Sequence, residues 1–157
     1  NLQSRKLVNL VKKCKEIPGQ DLFQYYDDAG KRHTVGSGDI NNYLKEITGE
    51  DFTAKDFRVW AGSVNALFAF QEIGHFESQT ECKRKIVEVI DLVASKLGNT
   101  RTVCKKYYVH PTVIASYENG TINNYKIKAN IKNNKLNPEE EALVRLLKKE
   151  TIAEVLG

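Results

Sequence analysis

The chain has 157 residues, a net charge of +4 and three cysteines, which makes about one domain with enough length to bury a core and allows an anionic partner without demanding one. Cys14, Cys82 and Cys104 are odd in number and lack C-x-x-C spacing, which fits reduced thiols better than a disulfide framework or a zinc site. No apolar run approaches a membrane helix and no secretory signal opens the chain.

The first residues, NLQSRKLVNLVKKC, are already helical in pattern and carry no initiator methionine, so the chain reads as a fragment. Leu7, Leu10, Val11 and Cys14 recur at helical spacing with lysines opposite; Ser4 suits the N-cap and Pro18-Gly19 the stop. DLFQYYDDAGKRHTV, residues 21–35, is two β-prone runs around Asp-Asp-Ala-Gly, which predicts a hairpin. A helix is expected from Ser37 or Asp39 to Gly49. The next begins after Thr53 as N-cap, with Asp56 three residues on; Phe57, Trp60, Ala61, Val64, Leu67 and Phe68 form its apolar stripe. Ile86, Val89, Ile90 and Val93 mark another helix that Gly98 ends. Short helices are expected over 100–107 and 111–118. The polar stretch 119–137, with Lys126, Lys128, Lys132 and Lys135 and no acid, reads as a connector or arm. Pro138 opens a last helix whose acids precede its bases, the order the helix dipole favours. The class is mainly α with one small hairpin.

Several chemistries find no support. There is no P-loop and no G-x-G-x-x-G to cradle a nucleotide. No H-E-x-x-H, Cys/His quartet or calcium-loop spacing suggests a metal. His33, His75 and His110 lie far apart, and no serine or cysteine is paired with a base at recognisable spacing.

What remains is basic and aromatic. Lys55, Arg58, Gly62 and Asn65 share the face of their helix opposite the stripe. The guanidinium fork of Arg58 suits a phosphate, although most such arginines are simply solvated. In LGNTRTVCKKYYVHP, residues 97–111, Tyr107 and Tyr108 follow Arg101, Lys105 and Lys106. A free phenol, with a pKa of about 10, is a poor nucleophile, and cationic neighbours favour its phenolate. The same residues are equally those of a tyrosine packed in a core beside solvated lysines. Asn99 beside Gly98 is by default a helix stop, and its amide could instead donate to a phosphate oxygen.

FTAKDFRVWAGS, followed by LGNTRTVCKKYYVHPTVI, resembles the C-terminal part of the catalytic domain of type IB DNA topoisomerases, in particular the compact bacterial and poxvirus-like branch. GQDLFQYYDDAGKRHTVGSGDINNYL and LNPEEEALVRLL also look like bacterial members. The resemblance covers essentially the whole chain, as one catalytic-core fragment, 1–157, of the helical topoisomerase/tyrosine recombinase type.

The resemblance implies a cytoplasmic, nucleoid-associated enzyme that relaxes supercoiled duplex DNA without ATP, metal or other cofactor. A tyrosine forms a 3′-phosphotyrosine and releases a 5′-hydroxyl; the free end swivels and reseals. Carried over position by position, the arginine of K-D-x-R is Arg58, which would neutralise the transition-state oxygens. The family's His/Asn position, nine residues before the tyrosine, is Asn99, a donor to a phosphate oxygen. That count makes Tyr108 the nucleophile and Tyr107 a packing neighbour. Lys55, Lys105 and Lys106 would contact DNA phosphates, and a monomer suffices. The family's first arginine, its general-acid lysine and its N-terminal clamp lie upstream of the matching region, so the isolated chain is expected to be impaired, by roughly 10²–10⁴ for the acid alone. Lys31 and Arg32 are not on the hairpin that carries that lysine. Arg101 stands where the family usually has proline.

Two other readings share part of this pattern. A tyrosine recombinase uses the same arginine, His/Asn and tyrosine, but its signature is H-x-x-R, whereas Lys55 stands three residues before Arg58. A non-catalytic DNA-binding module would need only the positive charge and the lysine-rich 121–137 segment.

Overall fold

A computed structural model describes the backbone of residues 4–126 and 136–156, with side chains to residue 149. The described residues form seven α-helices and one two-stranded antiparallel sheet, in two compact units, 1–54 and 55–157.

The first unit holds helix α1 (Arg5–Glu16), strands β1 (Gln24–Tyr26) and β2 (Arg32–Thr34), and helix α2 (Ser37–Thr48). The hairpin forms where Asp-Asp-Ala-Gly predicts it, in the register Tyr25↔His33. Its turn is built on Asp27, whose Oδ1 accepts from the N–H groups of Ala29 and Lys31 at 3.0 and 2.8 Å, while Gly30 takes a φ of +76° that a residue with a Cβ adopts only under strain. The His33 ring meets the other oxygen of Asp27 at 2.7 Å and stacks on Tyr25. That partner, with the Lys31 N–H, holds the Asp27 carboxyl below its usual range. In α2 the N-cap is Gly36, and the Asp39 carboxylate at the third helical position accepts from its N–H at 2.8 Å; left-handed Gly49 closes the helix, as predicted. The apolar stripe of α1 is present but not covered within this unit, with Leu7 and Leu10 exposed.

The second unit contains α3 (Ala54–Ile73), α4 (Gln79–Leu97), α5 (Arg101–Tyr107), α6 (Pro111–Glu118), a 3₁₀ helix (Thr121–Tyr125) and α7 (Pro138–Leu156). Its core includes Leu67, Phe70, Ile90, Val93, Val113, Ile122, Leu143 and Leu146. Phe70 stacks on Tyr117, whose hydroxyl donates to the Gly74 carbonyl at 2.9 Å.

The structure corrects two expectations. The predicted stripe of α3 is only partly its buried face: Leu67 is buried and Trp60 and Val64 pack against the core, but Phe57 and Phe68 are exposed, while Gly62, Ser63, Ala66, Ala69 and Phe70 are buried instead. Small residues carry little weight in an apolar periodicity, yet they let neighbouring segments approach the helix closely. The 119–137 connector is ordered at its start, where Ile122 and Tyr125 are buried and Gln71 donates to both their carbonyls. Lys128, Lys132 and Lys135 lie outside the described residues.

Helix α7 opens with a reciprocal cap. The Asn137 side-chain oxygen accepts from the Glu140 N–H at 2.8 Å, and Glu140 accepts from the Asn137 N–H at 2.9 Å. The other Glu140 oxygen accepts from the Trp60 indole N–H at 3.0 Å, tying α7 to α3. The Asn137 N–H, and then the Trp60 N–H, hold the Glu140 carboxyl below the free value of 4.5. A carboxyl whose folded pKa is depressed contributes stability above its unfolded pKa and loses it as pH falls through the folded value. Thermal melts should therefore show the parent losing stability below about pH 4.5 more steeply than Glu140→Gln. Asn137→Ala should cost about 1 kcal/mol at neutral pH, the usual loss for an N-cap.

Candidate active site

The site is assembled on α3 and on the α4–α5 turn. Helix α4 ends at Gly98 in the left-handed region, φ +64°, with the N–H groups of Gly98 and Asn99 returned to Ser95 and Ala94. The chain then reverses. The Thr100 hydroxyl caps α5 by accepting from the Val103 N–H, and Tyr108 follows the last turn with its N–H on the Cys104 carbonyl at 2.9 Å. This geometry puts Asn99 at one end of α5 and Tyr108 at the other.

Arg58 reaches both. Its Nη2 donates to the Leu97 carbonyl at 2.8 Å, and its guanidinium carbon lies 4.8 Å from the centre of the Tyr108 ring. The Asn99 amide donates to the same Leu97 carbonyl at 3.0 Å. Two N–H donors from separate elements thus converge on one oxygen beside the Tyr108 ring. Tyr108 is half-buried and packs against the core. In α5 the Cys104 thiol is fully buried, and burial pushes its pKa up, partly opposed by the Arg58 charge; it stays a neutral thiol.

Two neighbouring residues of α3 fix the main chain around Tyr108. A Cβ built on Gly62 would lie 2.1 Å from the Tyr108 carbonyl oxygen, so only glycine admits this approach. The Ser63 hydroxyl accepts from the His110 N–H at 2.9 Å. Sequence reasoning missed Ser63 and the Leu97 carbonyl; the one available signal was a pair of small residues four and five positions after Arg58. Gly62→Ala should lower stability by about 2–3 kcal/mol through overpacking, against the gain of about 1 kcal/mol that helix propensity alone gives alanine. A denaturant midpoint above the parent's would show that the contact is not tight.

The other predicted residues separate into two groups. Lys55 from α3 and Lys106 from α5 place their Nζ atoms 5.4 and 5.1 Å from the centre of the Tyr107 ring, and Lys105 is exposed nearby in sequence. Tyr107 is not the packing residue expected of it: it is 46% exposed, and Tyr108 is the one that packs. The α5 helix ends between the two, so consecutive side chains leave in different directions. Arg101 is turned away from the tyrosines and forms a two-point ion pair with Asp91 of α4, which holds the Asp91 carboxyl below its usual range. It ties the first turn of α5 to α4.

No helix among the described residues is long and apolar enough to cross a membrane. The family model described as the eukaryotic DNA topoisomerase I catalytic core matches residues 1–136. Among curated relatives, the DNA topoisomerase 1B of Acanthamoeba polyphaga mimivirus is 30% identical over 116 residues, which cover 69% of this chain and 34% of the viral protein. The chain therefore spans about a third of the length of that relative. With the match covering most of its residues, the chain belongs to the type IB DNA topoisomerase family, in the catalytic core.

Proposed function

We propose that this chain carries the tyrosine end of a type IB topoisomerase reaction on duplex DNA. The Tyr108 oxygen attacks a backbone phosphorus. A tyrosine O–P bond forms and the phenol gives up its proton as the P–O5′ bond breaks, which leaves a 3′-phosphotyrosine and a 5′-oxygen that takes up a proton. After the free strand swivels, the 5′-hydroxyl attacks the phosphotyrosine, reseals the strand and releases Tyr108. Arg58 neutralises the non-bridging oxygens as charge builds on them, and the Asn99 amide donates to one of these. Lys55, Lys105 and Lys106 hold flanking phosphates. The reaction draws on side chains alone, with no ATP or metal, and one nick needs one copy of the site.

The observation that supports this reading is the shared Leu97 carbonyl. Arg58 and Asn99 donate to that single oxygen at 2.8 and 3.0 Å beside the Tyr108 ring, which is the donor arrangement a phosphate oxygen needs. The test is a covalent trap. The chain is mixed with duplex DNA that carries a 5′-bridging phosphorothiolate, and a protein–DNA adduct is sought on a denaturing gel. The sulfur leaves as a thiolate without a general acid, so the reaction does not need the family's lysine. Salt-sensitive binding with no adduct would instead mark a DNA-binding module.

A further inference from the structure

The Tyr107 ring has no part in the chemistry above, yet it gathers charge. It is 46% exposed at the end of α5. The ammonium of Lys55, from another helix, and that of Lys106, its neighbour, both lie within 5.4 Å of its centre. Among the described residues neither lysine is paired with a carboxylate, whereas Lys45, Lys85 and Arg101 each are. One turn along α3 from Lys55, Arg58 lies over the ring of Tyr108. Two consecutive tyrosines thus each carry a cation from successive turns of the same helix, and the second leads to the shared carbonyl of the candidate site.

Resting on the topoisomerase reading of Tyr108, we infer that Tyr107 is a positioning residue. It holds Lys55 and Lys106 as one preformed cationic subsite for the backbone phosphodiester next to the one attacked. A lysine side chain is long and loses rotamer freedom when it is fixed on a ligand. An ammonium that already rests on an aromatic face has given up part of that freedom before DNA arrives. The contact uses one side of the ammonium; its three N–H donors remain available to phosphate oxygens. A ring that collects two unpaired cations within reach of a nucleophile suits a ligand that is itself a closely spaced row of negative charges. A phenylalanine would serve as well as tyrosine in this role, because the aromatic face and not the hydroxyl makes the contact.

Duplex binding by the 157-residue chain, measured as a function of salt, tests this. Tyr107→Leu is expected to weaken binding about tenfold at 0.1 M salt and to flatten the plot of log K against log salt by about one, the loss of one phosphate contact. Its melting temperature should stay near the parent's, since the side chain is half exposed. Tyr107→Phe should restore the slope. Lys55→Ala and Lys106→Ala should each cost less in the Tyr107→Leu background than in the parent. If Tyr107→Leu keeps the parent's affinity and slope, or if the lysine losses simply add to it, the ring does not organise the lysines and the inference fails alone. If Tyr107→Phe falls as far as Tyr107→Leu, the hydroxyl is the active group and the inference also fails. If the parent binds no duplex, the proposed action of Tyr108 on duplex DNA fails and this inference falls with it.

Discussion

Tyr108→Phe is expected to remove the protein–DNA adduct formed on a phosphorothiolate duplex, while Tyr107→Phe should still form it. The two substitutions delete the same atom from adjacent residues, so ordinary effects on folding and charge are matched between them. Their surroundings are not matched. The Tyr108 ring lies under the Arg58 guanidinium at 4.8 Å, and its main chain is held against Gly62. The Tyr107 ring is outside that cluster, between two lysines. Only a phenol beside donors that can take up phosphate charge gains from attack at phosphorus. The result is read as a shifted band, and its size is all or none for Tyr108. An adduct that survives Tyr108→Phe and disappears in Tyr107→Phe would reverse the assignment; loss in both would implicate the cation cluster as a whole.

Arg58→Ala should slow adduct formation by about 10²–10³ in single-turnover assays, the usual cost of removing one donor aimed at developing charge. Arg58→Lys should recover only part of it. The guanidinium here makes two contacts of different kinds at once, a hydrogen bond to the Leu97 carbonyl and a face-on approach to the Tyr108 ring, and a point-charge ammonium cannot keep both. Because Arg58 is half-buried and bonded to main chain, a melting curve of each variant separates a loss of chemistry from a loss of fold. A rate for Arg58→Ala within threefold of the parent would remove this arginine from the mechanism.

Much of the fold was readable because its boundaries carry their own chemistry. Gly49 and Gly98 end helices in left-handed conformation, the Asp39 carboxylate bonds back to the N-cap of α2, and Asp-Asp-Ala-Gly turns a hairpin. The buried face of α3 was only partly readable. Leu67 is buried as the stripe predicts, but the large apolar residues at 57 and 68 face outward, and the small Gly62, Ser63, Ala66 and Ala69 share the buried face with Leu67 and Phe70, which no periodicity of large side chains brings out. In the candidate site, Arg58, Asn99 and Tyr108 were legible only through the spacing of family motifs; composition alone favoured bland roles for all three. The Leu97 carbonyl was not legible at all, because a main-chain oxygen has the same letter whatever it bonds to. The role of Arg101 was hidden for a similar reason: its partner, Asp91, sits ten residues back on another helix.

The shared Leu97 carbonyl has a bearing on selectivity. Arg58 and Asn99 are not left as bare donors in water when no substrate is present; each already has a neutral oxygen. An incoming anion must therefore win an exchange and not merely be captured. A stray inorganic ion, small and freely hydrated, gains little by displacing a well-placed carbonyl. On the proposed reading, a phosphodiester delivered by a long polymer, anchored at many points along its length, would bring the additional hold that completes the swap. Since the resident oxygen belongs to the backbone, no side-chain substitution can delete it, and this threshold is inherited with the turn itself.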